Sequence, residues 1–323
     1  MPLAYDTDNY LYGKGRLYFQ RDGDSGYLDL GNVPKFEINV ELSKTDHYSS
    51  RSGTKQKDKS VVTEKKASAA FDLEEYSAEN LDLAFLGDGV QAGAQSAGSI
   101  EAQAVATVAN RFVALGKSDI SILKIAHGTV AGGPFQVGET VTGGTSAATA
   151  KIAWVGNGFI ECIDVSGTFA AGETVTGGTS TGSATASGAE TLSDAVVVDA
   201  ASPTVRYVLG TDYDIDAVEG MIRERAGGSI AGNACYVSAD HAAKSTNSVR
   251  ALANSSCSGE LLFVGDPDDG PRWRVQCWKS DLTIGGAAGF ISEEATPIPM
   301  TADILADATN HPNEPFFRAT EAY

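Results

Sequence analysis

The sequence predicts a mainly β protein with one helix and a small inserted β module. Three observations carry that reading. Lys35-Phe36-Glu37-Ile38-Asn39-Val40-Glu41-Leu42 alternates polar and apolar residues, the period of a half-buried strand. Glycine supplies 36 of the 323 residues, about 11% against an average of roughly 7%. Phe135-x-x-Gly138-Glu139-Thr140-Val141-Thr142-Gly143-Gly144-Thr145-Ser146 recurs 34 positions later as Phe169-x-x-Gly172-Glu173-Thr174-Val175-Thr176-Gly177-Gly178-Thr179-Ser180.

In chain order, residues 15–21 read as a strand and Asp22-Gly23-Asp24-Ser25-Gly26 as turn chemistry. The strand at 35–42 follows, with Phe36, Ile38, Val40 and Leu42 on one face. Residues 44–66 hold seven Lys/Arg and three acids with no apolar period, and read as a long exposed loop or hairpin. Strand character returns at 67–71. Residues 73–87 then carry Tyr76, Asn80/Leu81 and Ala84/Phe85 at helical spacing, with acids in the first turns and Gly87 as the stop. Residues 87–109 are rich in Ala, Gly and Gln and read as loop, with at most a weak helix.

Composition shifts at 128–190, where 14 glycines fall in 63 residues and Lys151 is the only basic side chain. Residues 150–155 and 158–163, between the repeat copies, read as a hairpin across Gly156-Asn157. Two copies are too few for a solenoid, so a β module of two similar halves is expected. Strands return at 195–198, 204–209, 213–216, 234–238, 259–264 and 272–278. The flanks at 120–125 and 194–199 resemble each other more than the Gly/Thr segment. The expected organisation is therefore one β domain, 1–126 and 191–323, interrupted by a module at 127–190.

With 24 Lys+Arg against 42 Asp+Glu the formal charge is −18, which disfavours duplex DNA and anionic membranes as partners. Residues 44–66 are net +4, leaving −22 on the remainder. No apolar run approaches the ~18 residues of a membrane helix. Residues 1–8 lack a basic region and an apolar stretch, so no signal peptide is expected. Cys162, Cys235, Cys257 and Cys277 show no paired spacing and read as reduced thiols of a protein made in a cytoplasm.

Motifs for catalysis and metals fail on context, and no catalytic residue, metal site or cofactor is expected. Gly178-Thr179-Ser180-Thr181-Gly182 satisfies Gly-x-Ser-x-Gly, but a nucleophile elbow needs an apolar strand before it and a helix after it. Gly23-Asp24-Ser25-Gly26 reads as a turn. Asp212, Asp214 and Asp216 lack the glycine and glutamate of a calcium loop, and on a strand they form one acidic, solvated face. Asp266-Pro267-Asp268-Asp269-Gly270 reads as a turn. His47, His127, His241 and His311 share no ligand spacing. The basic segment with Lys44, His47, Arg51, Lys55, Lys57 and Lys59 remains, either as a solvated loop or as a dock for an acidic surface such as a second copy of this chain.

Several segments together resemble the major tail tube proteins of long, flexible-tailed bacteriophages. They are Tyr12-Gly13-Lys14-Gly15, Leu30-Gly31-Asn32-Val33-Pro34, the loop from His47 through Arg51 to Asp58, and Phe71-Asp72-Leu73-Glu74-Glu75-Tyr76 closing at Phe85-Leu86-Gly87. Gly210-Thr211-Asp212-Tyr213-Asp214-Ile215-Asp216, Glu219-Gly220-Met221-Ile222 and Gly259-Glu260-Leu261-Leu262-Phe263 continue it. The match covers about residues 10–125 and 191–323.

The resemblance implies a β-sandwich with one flanking α-helix, six copies to a ring, and rings stacked into a hollow tube. The basic loop would reach the neighbouring ring. The aspartate face would lie at the lumen or an interface, where an acidic lumen lets DNA pass without sticking. It further implies a virion protein assembled in the bacterial host cytoplasm, with itself and the tape measure, tail terminator and distal tail proteins as partners. DNA would meet it only in transit, and no membrane is implied. The Gly/Thr module lies outside the family's core and is expected on the tube exterior. The alternative is a surface- or carbohydrate-binding β protein such as a tail fibre or adhesin, favoured by the hydroxyl-rich repeat and disfavoured by few clustered aromatics.

Overall fold

Period-two burial organises the chain in a computed structural model that describes residues 10–322 apart from Tyr12, Ser52 and Ala231. The reading of residues 1–8 and the Tyr12 end of the Tyr-Gly-Lys-Gly motif lie outside the described residues. In Gly15–Arg21, Leu17 and Phe19 are buried; in Gln56–Leu73, Ala67, Ala69, Phe71 and Leu73 are; in Ile298–Ile304 every second residue is. Strand makes up 54% of the chain and helix 2%, so the protein is mainly β, built of several antiparallel sheets. The chain forms two compact units, Met1–Ala92 with Asn247–Tyr323, and Gly93–Thr246.

The first unit is one eight-stranded sheet. Its order is Leu28–Asp29, Gly15–Arg21, Cys257–Gly265, Arg272–Ile284, Ile298–Ile304, Gln56–Leu73, Lys35–Ser49, with Phe317–Ala322 also paired to Arg272–Ile284. Phe36 and Phe263 lie four strands apart in this order, about 19 Å in a flat sheet. Their rings nevertheless stack at 5.2 Å, so the sheet rolls around its core. Leu17, Phe19, Phe71, Leu261 and Met300 meet inside.

The helix Ala78–Ala84 covers part of that core and is shorter than the sequence suggested. Residues up to Leu73 continue the preceding strand, and Ser77 caps the helix by accepting from Asn80 N at 3.1 Å. Asn80 is buried and donates to Leu30 O and Glu75 O at 3.1 and 2.9 Å, which fixes the approach to the helix. Leu86, at φ 53°, makes the left-handed turn at the C-terminal end. Gly87 is needed for another reason: a Cβ there would lie 1.9 Å from the Asp82 carboxylate, which pairs with Arg21 at 2.7 Å.

The second unit contains a closed barrel. Ile120–His127 pairs with Phe159–Ser166 on one side and Ser183–Leu192 on the other. The ring runs on through Thr149–Gly156, Thr140–Gly143 and Thr174–Gly177, and every neighbouring pair is antiparallel. Ile125, Phe135, Val141, Ile152, Phe169 and Val175 fill it. Ile120–His127 continues into a sheet with Ala234–His241, Val196–Asp199 and Gly98–Ala106. Tyr213–Asp216, Met221–Glu224 and Phe112–Ala114 form a small separate sheet.

Several expectations change. The unit boundaries fall at 92/93 and 246/247, not at 126/127 and 190/191, because strands flanking the Gly/Thr segment share its sheet. Of the two readings of residues 44–66, loop or hairpin, the structure shows the hairpin, of which they form the outer part. The apolar alternation of 35–42 is only half used: Phe36 and Ile38 pack, while Val40 and Leu42 are 57% and 52% exposed. Residues 87–109 contain the strands Gln91–Gln95 and Gly98–Ala106 instead of loop or helix. Residues 204–209 form no strand, only the isolated bridges Val198↔Arg206 and Leu209↔Tyr213. There Tyr207 turns inward and donates to Asp199 at 2.7 Å.

Candidate functional site

Lys35–Ser49 and Gln56–Leu73 stay paired from Lys35↔Asp72 to Ser49↔Gln56, whereas the neighbouring strand Ile298–Ile304 ends at Ala67. Residues 56–66 therefore project beyond the sheet as half of a two-stranded arm, about 35 Å long at strand rise. Bulges between Ser43/Lys44 and His47/Tyr48 add local twist. Among the described residues no other strand pairs with this part of the hairpin. Thr45 opposite Val61 and Lys44 opposite Val62 put one exposed valine on each face.

All six basic candidates lie on this arm. His47 Nδ1 meets Asp58 at 2.6 Å and Lys57 meets Asp46 at 2.7 Å. The Lys57 ammonium, with the Ser60 hydroxyl, lowers the Asp46 carboxyl from its ordinary range. Among the described residues Lys44, Arg51, Lys55 and Lys59 form no salt bridge, so the arm keeps positive charge to offer.

The three aspartates do not share a solvated face. Asp212 precedes the strand and is only 6% exposed; it accepts from Ser229 N and Val208 N at 2.8 Å each. The Ser229 N–H is the main cause that lowers its carboxyl. Asp214 is clamped by Arg223 and Arg225, each at 2.6 Å, and these guanidiniums lower it likewise. Asp216 accepts from Glu219 N at 3.1 Å in the following turn. Each one fixes local structure, and together they present no free acidic row.

The repeat holds an arrangement that sequence reasoning missed. Glu139 reaches across to the other copy, where Oε2 accepts from Thr179 N at 3.1 Å and Ser180 N at 2.9 Å. Its Oε1 accepts from the Ser180 hydroxyl at 2.8 Å and from Gln136 N at 2.7 Å. Glu173 does the same in return, with Thr145 N at 3.1 Å, Ser146 N and the Ser146 hydroxyl at 2.9 Å, and Ala170 N at 2.6 Å.

Both carboxylates are buried, at 5% and 4% exposure. The Ser146 N–H and its fellow donors bring Glu173 down to about 2. Burial opposes ionisation of Glu139, but the N–H groups of Ser180, Gln136 and Thr179 outweigh it and lower that carboxyl too. A Cβ on Gly143 or Gly177 would lie 2.6 or 2.7 Å from the facing carboxylate, so glycine is required at each position. Ala147 and Thr181 take matching left-handed φ of 55° and 56° to close the turns. Ser180 thus serves as a turn donor to Glu139 and not at an elbow between strand and helix. The available signal was that glutamate is the only charged residue in either twelve-residue copy.

A comparison with curated proteins finds no match to this chain. A family described as Protein of unknown function UCP028589 matches residues 10–186 and 161–318, two stretches that overlap over residues 161–186, which include the second repeat copy. Together they span nearly all the described residues, and the chain belongs to that family.

Proposed function

We propose that this chain is a structural subunit that associates with further copies of itself, as the subunits of a phage tail tube do, to line a passage for DNA. The observation that carries this reading is the arm. It extends a rolled sheet by a two-stranded ribbon that no other strand among the described residues covers, with exposed Leu42, Val61 and Val62 on it and Val40 at its base, beside lysines that form no salt bridge. Natural proteins shorten, cover or charge such edges, and a ribbon this long with apolar side chains suits a contact that a second subunit completes. The charge pattern supports the same partner, since a +4 arm meets a chain that is −22 elsewhere.

On this reading the rings would be closed assemblies of one subunit, and the arm would contribute to stacking. The net negative charge would keep DNA mobile in the passage. Negative-stain microscopy of the purified protein and of virion tails labelled with antibody against it tests the proposal. Rings or tubes carrying the label are expected; dispersed monomers together with unlabelled tails would overturn it.

A further inference from the structure

The two repeat copies meet as equals. Thr140–Gly143 and Thr174–Gly177 lie antiparallel with Thr142 opposite Thr176, Val141 opposite Gly177 and Gly143 opposite Val175. Thr176 is the counterpart of Thr142, so a local twofold axis passes between them. Contacts on one side recur on the other. Gly144 N donates to Thr174 O at 2.8 Å, and Gly178 N to Thr140 O at 2.9 Å. Ile152 N donates to Glu139 O at 2.9 Å, and Ala186 N to Glu173 O at 2.8 Å. The exchanged glutamates follow the same rule.

The axis leaves the barrel where Ile120–His127 lies against Phe159–Ser166, the first strands of the two halves. The ring order maps onto itself when the halves are exchanged. Such a surface is isologous, the kind that joins two identical subunits.

We propose that the repeat is a self-recognition unit: the surface by which each copy completes the barrel also fits the same repeat on a second copy of this chain. This stands independently of the tube reading, because it rests only on the barrel. It assigns the Gly-Glu-Thr-Val-Thr-Gly-Gly-Thr-Ser stretch a partner, namely itself. Removing one period, residues 154–187, leaves Ile120–His127, Thr140–Gly143 and a fused strand made of 149–153 and 188–192. That set is one half of the ring, and two such chains can rebuild the barrel.

The test places Thr142→Cys in the full chain lacking 154–187, with Thr140→Cys as control. In homotypic pairing residue 142 faces residue 142 of the second chain, whereas residue 140 faces 144. Both side chains are exposed, so random encounters oxidise them equally. The same substitutions in the undeleted chain, refolded from denaturant over a concentration series, give a second readout that needs no deletion. The expected result on non-reducing gels is several-fold more interchain disulfide at 142 than at 140, rising with concentration in the refolding series. An excess at 142 in either experiment supports the proposal. Equal yields at the two positions in both, including from a deletion chain that fails to fold, overturn it.

Discussion

The arm and the barrel are built from the same material, hydroxyl-rich antiparallel hairpins, and end in opposite states. In the barrel every strand has two neighbours, Val141 and Val175 are buried, and two carboxylates are each satisfied by four donors. On the arm Val61 and Val62 face outward, the acids pair only with neighbouring side chains, and one edge of each strand is open. The difference lies in closure. A strand whose last neighbour is its own chain needs nothing more, while one left open holds its apolar residues for another molecule. Substitutions should therefore act on folding in the first region and on association in the second.

The largest contrast is expected from an acidic residue in place of valine. Val141→Asp puts a carboxylate where no water reaches and should destabilise the barrel by more than about 4 kcal/mol. Val61→Asp, on an exposed face, should change unfolding by under about 0.5 kcal/mol. Thermal unfolding followed by circular dichroism reads both, and a similar loss from the two would erase the distinction.

Next in size is the glutamate exchange. Glu139→Ala strands three backbone N–H groups and a hydroxyl, at a cost of about 2 kcal/mol. The local symmetry requires Glu173→Ala to lower the melting temperature by the same amount. Each folded-state carboxyl lies below its unfolded value, so its stabilisation is complete above about pH 4.3 and fades as pH falls through the folded value. For Glu173 that window closes at about pH 2. The melting temperature should fall across it, and Glu173→Gln should flatten the fall. A slope unchanged in that variant would detach the carboxylate from barrel stability.

How much of this was legible in the sequence depends on range. Local periodicity placed the strands at 15–21, 35–42 and 272–278, because alternation reports which face is buried. It could not report where burial stops: Val40 and Leu42 continue the pattern of Phe36 and Ile38 at and beyond the point where the neighbouring strand Ile298–Ile304 ends. The repeat was visible as text, but the exchange of Glu139 and Glu173 depends on pairing across 34 residues, which spacing alone does not encode. The aspartates misled for the same reason. Alternation put them on one face, but Ser229 N holds Asp212, Arg223 and Arg225 hold Asp214, and Glu219 N in the following turn holds Asp216.

The smallest effect on folding, and the most pointed on association, is expected from reversing the arm's charge. Lys55→Glu, Lys57→Glu and Lys59→Glu together move the formal charge from −18 to −24. Among these residues only Lys57 has an acidic partner, Asp46, and that pair is largely solvated. Such pairs are worth about 0–1 kcal/mol, so the melting temperature of the isolated chain should barely move. Self-association should be lost at low salt, because the arm would then repel the acidic surface it is proposed to meet. Raising ionic strength shortens the Debye length to roughly 3 Å at 1 M and should restore part of that association through the exposed valines. Sedimentation velocity at low and high salt measures both. Association unchanged in the reversed variant would assign the contact to another surface and return the arm to the class of solvated ribbons.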